Sequence, residues 1–379
     1  MKPPPKVALL VETSNSYARD LLHGVRAWVR EHGPWSIRLS EQGRGAAVPA
    51  WLRRWDGDGV IARVENAEIA RGLRATGLPV IDVSAALPQL VFPRVATHAA
   101  GAARLAARHL ADLGLKRFAY CGYHGVHWSR QRGDAFAAAV QAGGGTCTRY
   151  EPPPGPVDDE IGAMAAWLQR LPRPVGVLAA IDLRGQQVLA ACRLAGLAVP
   201  DEVAVIGVHN DELLCDLCDP PLSSVIPNAR RAGYVAAGLL AKAMAGKRLP
   251  VVLHAVEPLG VASRQSTDVG AVADAKIAGV VRFMRQQAAV GANIGDVLRA
   301  VPMARTALER RFKAVLGTTP HAHLRKLRMA RVQELLVTTN LPVSEIAAAT
   351  GFENPEYLSV MFRRECGTSP REFRARHRG

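Results

Sequence analysis

Two hydrophobic patterns alternate along roughly the first 225 residues. Nearly continuous apolar runs rich in β-branched residues fall at 7–11, 59–64, 79–83, 117–122, 175–181 and 203–208. Between them, apolar residues recur at helical spacing over 16–31, 98–113, 129–142, 158–171 and 184–195. Strands that are hydrophobic along their whole length are buried on both faces, and interleaved helices supply the cover, so the pattern predicts parallel α/β sheets. Ligands of such sheets bind beyond the carboxyl ends of the strands. That directs attention to 13–19, 123–132, 182–184 and 209–211.

The pattern changes near Asp268. Residues 269–275 are mostly small, with no periodic face, and are expected to form a linker. Everything after them has helical spacing: 275–287, 294–301, 304–316, 321–337, 343–350, 355–366 and 370–376. Residues 308–320 repeat at 358–370: leucine, then phenylalanine four residues on, a following cation and a closing Gly-Thr-(Thr/Ser)-Pro recur at one constant offset. Each copy is a short cationic amphipathic helix preceded by a shorter helix and a tight turn, the order of a helix-turn-helix unit. In the first, Leu308, Phe312, Val315 and Leu316 form the buried stripe, leaving Arg305, Thr306, Glu309, Arg310 and Lys313 outside. In the second, Leu358, Met361 and Phe362 are buried, leaving Asn354, Glu356, Ser359, Arg363 and Arg364. Arg and Asn match the edges of guanine and adenine, and the flanking cations suit phosphates. The helix over 321–337 would separate the two units by about 25 Å or more, near one turn of DNA.

Charge sharpens this division. Residues 271–379 hold 18 Lys/Arg against 9 Asp/Glu, whereas the first 270 hold 30 against 24. The excess is concentrated where the repeated helices lie, which favours double-stranded DNA as partner. Six scattered cysteines suit reduced thiols; Cys215-x-x-Cys218 and His124-x-x-His127 lack further ligands nearby, so no metal and no cofactor is expected. No stretch is apolar enough to span a bilayer, and 7–11 is too short for a signal-peptide core, so the expected location is the cytoplasm. A nucleophile–base pair or phosphate loop is not discernible, which sets an enzymatic function behind a regulatory one.

Several local signatures carry a resemblance over residues 5–268. They are Arg132-Gly-Asp-Ala-Phe136, Ala180-Ile-Asp182 before a helix, the strand running from Val203 into Gly207-Val-His-Asn-Asp211, Leu222-Ser-Ser-Val225 and Ser263-Arg-Gln-Ser-Thr-Asp268. In this order they resemble the effector domain shared by periplasmic sugar-binding proteins and LacI-family repressors. The resemblance implies a two-lobed domain with a sugar between the lobes. Arg132, Asp182 and Asn210 match its polar positions, with Tyr17 and Trp128 as ring platforms and His209 also at the site. His209 and His98 depart from it where relatives carry acids, which removes acceptors for sugar hydroxyls and leaves open an altered or lost ligand. Farther on, Arg305-Thr-Ala-Leu-Glu-Arg-Arg-Phe312, Gly317-Thr-Thr-Pro320, Ile346-Ala-Ala-Ala-Thr-Gly-Phe352 and Gly367-Thr-Ser-Pro370 resemble the AraC-family DNA-binding domain. Pro302 and Ala304 differ from its usual turn glycine and capping serine.

The expected architecture is therefore a two-lobed α/β, periplasmic-binding-protein-like domain over 1–268, a linker at 269–275, and an all-α domain with two helix-turn-helix units over 276–379. This combination resembles XylR-type xylose-responsive regulators. It implies a homodimeric activator with a monosaccharide effector such as xylose, and RNA polymerase as a further partner.

Overall fold

The computed structural model describes residues 3–40, 43, 45–150, 157–268, 275–287, 293–352 and 354–378. The first lobe begins with β1 (Lys6–Leu10), α1 (Ser16–His32), β2 (Ser36–Leu39), β3 (Gly59–Ala62), α2 (Ala67–Arg74), β4 (Val80–Asp82) and β5 (Arg94–Thr97). The chain then crosses to a second lobe. This comprises α3 (Ala99–Ala111), β6 (Arg117–Cys121), α4 (His127–Ala142), β7 (Thr146–Tyr150), α5 (Val157–Arg170), β8 (Val175–Ala179), α6 (Asp182–Leu194), β9 (Val203–Val208), α7 (Glu212–Leu217) and β10 (Ser223–Ile226). After β10 it returns through α8 (Ala229–Met244) and β11 (Leu253–Val256) to the first lobe, and crosses once more into β12 (Gly260–Ala262) of the second.

The first sheet has the order β11-β5-β4-β3-β1-β2, with every neighbouring pair parallel. The second has the order β12-β10-β9-β8-β6-β7 and is parallel except at β12. Three crossovers, after Thr97, Ile226 and Val256, join the lobes. They are tied together by His98 N donating to Val256 O (2.8 Å) and Leu259 N donating to Ile226 O (2.9 Å). The strands expected from apolar runs correspond to β1, β3, β4, β6, β8 and β9. The others lacked that signal for physical reasons: β2, β7, β11 and β12 lie at sheet edges, and β5 and β10 bury polar residues, among them Arg94, Ser223 and Ser224. In the first lobe α1 and α8 pack face to face through Gly24 and Gly233. A Cβ on either would fall 1.9 Å from a backbone carbonyl of the other helix, so this approach requires glycine.

The C-terminal part is helical, as expected: α9 (Ala275–Gln287), α10 (Ile294–Ala300), α11 (Arg305–Leu316), α12 (Pro320–Thr338), α13 (Val343–Ala349), α14 (Pro355–Cys366) and α15 (Pro370–Arg378). The expected linker lies outside the described residues, save Ala275, which begins α9. Two apolar cores form here. One gathers Ile277, Val280, Met284, Val297, Leu308 and Phe312; the other gathers Val332, Leu336, Ile346, Leu358, Met361 and Phe362. The 19-residue α12 belongs to both, giving Leu324 to the first and Met329, Val332, Leu335 and Leu336 to the second. Both repeated helices end on a left-handed glycine, Gly317 (φ +69°) and Gly367 (φ +73°), a conformation that costs an L side chain strain.

Candidate effector cleft and DNA-reading helices

The carboxyl ends of both sheets face a cleft of about 370 Å³ between the lobes. From the second lobe, α6 places Asp182 in its first turn, where the carboxylate accepts from Ser224 Oγ (2.5 Å) and the Asp211 backbone N (2.8 Å). Burial raises this carboxyl to about 6, against the lowering effect of the two hydrogen bonds. Arg132, buried in α4, donates through Nη1 to Ala180 O, and its Nε is buried without a hydrogen-bond partner. Burial lowers its guanidinium from the ordinary arginine range. A buried guanidinium with an unspent donor is a costly group, and Arg132 is among the residues that line the cleft. Trp128 stands next to it, its ring 5.5 Å from the guanidinium carbon.

The first lobe supplies Glu12, Asn15, Tyr17, Arg63, Ser84 and Thr97. Asn15 caps α1 by accepting from Ala18 N (2.8 Å) while its amide donates to buried Glu12. Arg63 Nη2 donates to Glu65 (2.8 Å), and its Nε lies 4.0 Å from Glu12. Ser84 is held by the buried ion pair of Arg94 with Asp82 (2.7 Å), since Asp82 Oδ1 accepts from the Ser84 backbone N (2.8 Å). Contacts between the lobes close this side of the cleft. The Tyr17 ring stacks on His209 at 5.0 Å and 27°, and Ser16 N donates to Asp211 Oδ2 (3.4 Å). His209 sits at φ +117°, a conformation that costs a non-glycine residue about 1–3 kcal/mol.

In the DNA-reading part, α10–α11 and α13–α14 are the two helix-turn-helix pairs. Arg305, Thr306, Glu309, Arg310 and Lys313 are exposed on α11, where Arg305 pairs with Glu309 one turn on (3.3 Å). Glu356, Arg363 and Arg364 are exposed on α14, together with Tyr357 and Val360. Asn354, also exposed, caps α14 by accepting from Tyr357 N (2.7 Å), and half-buried Ser359 donates back to Pro355 O (2.8 Å). Leu308 and Phe312, like Leu358, Met361 and Phe362, are buried; Val315 and Leu316 are half-buried against the first core.

Three family models align with this arrangement: an XylR N-terminal domain over residues 6–100, a periplasmic binding protein-like domain over 107–267 and a helix-turn-helix domain over 297–376. The xylose operon regulatory protein of Escherichia coli (strain K12) is 30% identical over 380 residues, spanning 97% of this chain and 96% of that one. The chain belongs to the XylR family of transcription regulators. The xylose operon regulatory protein of Haemophilus influenzae is 29% identical over 97% of this chain and 98% of its own length. A solved structure of the xylose-binding transcription activator xylR matches 99% of this chain and 98% of that one, with a TM-score of 0.64 and 28% identity. This XylR-family member is thus a DNA-binding transcription regulator with a sugar-binding type of effector domain.

Of the six cleft residues expected from sequence, Tyr17, Trp128, Arg132, Asp182 and His209 line the cleft of this XylR-family regulator. Asn210 does not; its amide oxygen accepts from Arg264 Nη1 (2.9 Å), on the side facing away from the cleft. His98 is also outside, its Nδ1 against Glu257 at the crossovers. Glu12, Arg63, Ser84 and Thr97 join the cleft from the first lobe, each at the carboxyl end of a strand or within two residues of it. The rule that selected 182–184 and 209–211 applies equally to them.

Proposed function

We propose that this chain is a cytoplasmic, non-enzymatic activator of genes for pentose catabolism, with xylose or a closely similar monosaccharide as effector. The sugar binds between the lobes, where Arg132 and Asp182 engage its hydroxyls, Tyr17, Trp128 and His209 flank its ring, and Asn210 acts from behind by holding Arg264. Residues 1–268 serve as sensor, 269–275 as linker and 276–379 as DNA-binding domain. The protein acts as a homodimer. Arg305, Thr306, Glu309, Arg310 and Lys313 meet one major groove, and Asn354, Glu356, Ser359, Arg363 and Arg364 the next, beside RNA polymerase. The observation that carries this reading is Arg132: a buried guanidinium with an unsatisfied Nε that lines, with Asp182 of the same lobe, a cleft between lobes, in a chain that matches xylose operon regulators over 97% of its length.

The test is a thermal-shift series with D-xylose, L-arabinose, D-ribose and D-glucose. A sugar at about 100 times its Kd stabilises the folded state by roughly 2.7 kcal/mol, a rise of several degrees in Tm. The expected result is a rise with D-xylose that Arg132→Ala abolishes. No rise with any of the four overturns the effector assignment.

A further inference from the structure

We propose that α12 clamps the DNA-reading units to both effector lobes, and that Lys326 and Asp112 are positioning residues for the response to effector. The inference rests on the regulatory reading above. Asp112 caps the C-terminus of α3 in the second lobe, and Lys326, in the first half of α12, pairs with its carboxylate. A helix C-terminus already favours a cation, so Asp112 marks a natural anchor for an ammonium group. Eleven residues farther along α12, about 16 Å on, Val337 and its neighbour Glu334 line a cavity of about 580 Å³ with Asp20 and His23 of α1 and Arg230 of α8. Those partners belong to the first lobe, and α15 packs against the same α8. The helix therefore reaches the second lobe through Lys326, while its far half faces the first across this cavity, where α15, packed on both α12 and α8, completes the connection.

Two consequences follow from the packing. A helix cannot lengthen, so any change in the angle between the lobes turns or shifts α12. Because α12 supplies Leu324 to one core and Val332 and Leu336 to the other, both recognition helices move with it. The cavity behind α12 also shares Ser16, His209, Asp211 and Pro227 with the sugar cleft. The cross-lobe contacts Tyr17–His209 and Ser16–Asp211 thus stand in the partition between effector and clamp.

The experiment uses the full chain and measures promoter-DNA affinity by fluorescence anisotropy with and without saturating D-xylose. The ratio of the two affinities is the coupling factor, within a typical range of about 5- to 150-fold for allosteric proteins. Lys326→Glu places like charges together and is expected to reduce that factor by about 3- to 10-fold. Both side chains are exposed, so Tm should stay near the wild-type value. Asp112→Lys combined with Lys326→Glu restores the pair with its signs exchanged, and is expected to return the factor to within about 2-fold of wild type. A purely local structural role would not produce that rescue. Unchanged coupling in Lys326→Glu, or no recovery in the double variant, overturns the clamp while leaving the regulatory reading intact. A wild-type protein whose DNA affinity ignores D-xylose overturns both.

Discussion

The two helix-turn-helix units share a repeat but are secured in different places. In the first, the leading helix α10 carries a full capping box between Asn293 and Asp296, whereas the recognition helix α11 starts at Ala304 with no side-chain cap. In the second the order reverses: α13 starts at Pro342 without a cap, and α14 has Asn354 as cap and Pro355 in its first turn. The turns differ as well. Gly351 lies at φ +70°, while residues 301–304 hold no left-handed residue, so Pro302 fits the first turn and no glycine is needed there. What α11 lacks locally it obtains from packing, since α9 completes its core through Ile277, Val280 and Met284. Equivalent recognition helices can thus be fixed by local backbone chemistry or by tertiary burial.

The strongest challenge to this contrast is removal of the two equivalent phenylalanines. Phe312→Ala and Phe362→Ala each delete a fully buried ring and are expected to cost about 3–5 kcal/mol, read from urea unfolding of the full chain. Because α12 joins the two cores, either change should lower one shared transition; two separated transitions would break the picture of coupled units. Next come the DNA contacts. Arg310→Ala and Arg363→Ala are each expected to weaken promoter binding by about 10-fold and to reduce the salt slope by about one, as measured by anisotropy from 50 to 200 mM salt. An effect confined to Arg363 would make the second unit the sole reader. Gly317→Ala and Gly367→Ala should cost about 1 kcal/mol each, alike in both units because both glycines are left-handed. The smallest effects bear most directly on the difference. Asn354→Ala should cost about 1 kcal/mol, and Ala304→Ser should add about 0.5 kcal/mol by supplying the missing cap. A neutral Ala304→Ser would mean that packing against α9 already leaves nothing for a cap to add.

The contrast also explains which features the sequence made legible. Helix spacing, the repeated Leu/Phe pairs and the Gly-Thr-(Thr/Ser)-Pro stops are local, and every C-terminal helix falls within a residue or two of its expected bounds. Periodicity places Asn354 on the outer face, and the folded backbone adds a second role, its amide oxygen accepting from Tyr357 N. The cleft depends on residues far apart in the chain. Asp182 and Arg132 carry a family signature, whereas Glu12, Arg63 and Thr97 carry only their position at strand ends, and the order of the first sheet brings them to one cleft. The same holds for Asn210, whose direction is set by Arg264, 54 residues later. The Asp112–Lys326 pair, 214 residues apart, left no trace in any local pattern.

The return of the chain to its first lobe has a consequence for biosynthesis. Strand β5 finds its outer neighbour only when β11 emerges from the ribosome, for Arg94 pairs in register with Leu253. At about 5–20 residues per second that interval lasts on the order of 10 s, during which β5 presents an open parallel edge. The nascent first lobe therefore waits for the second to be made before its sheet can close, and chaperone occupancy during that interval should centre on the edge of β5.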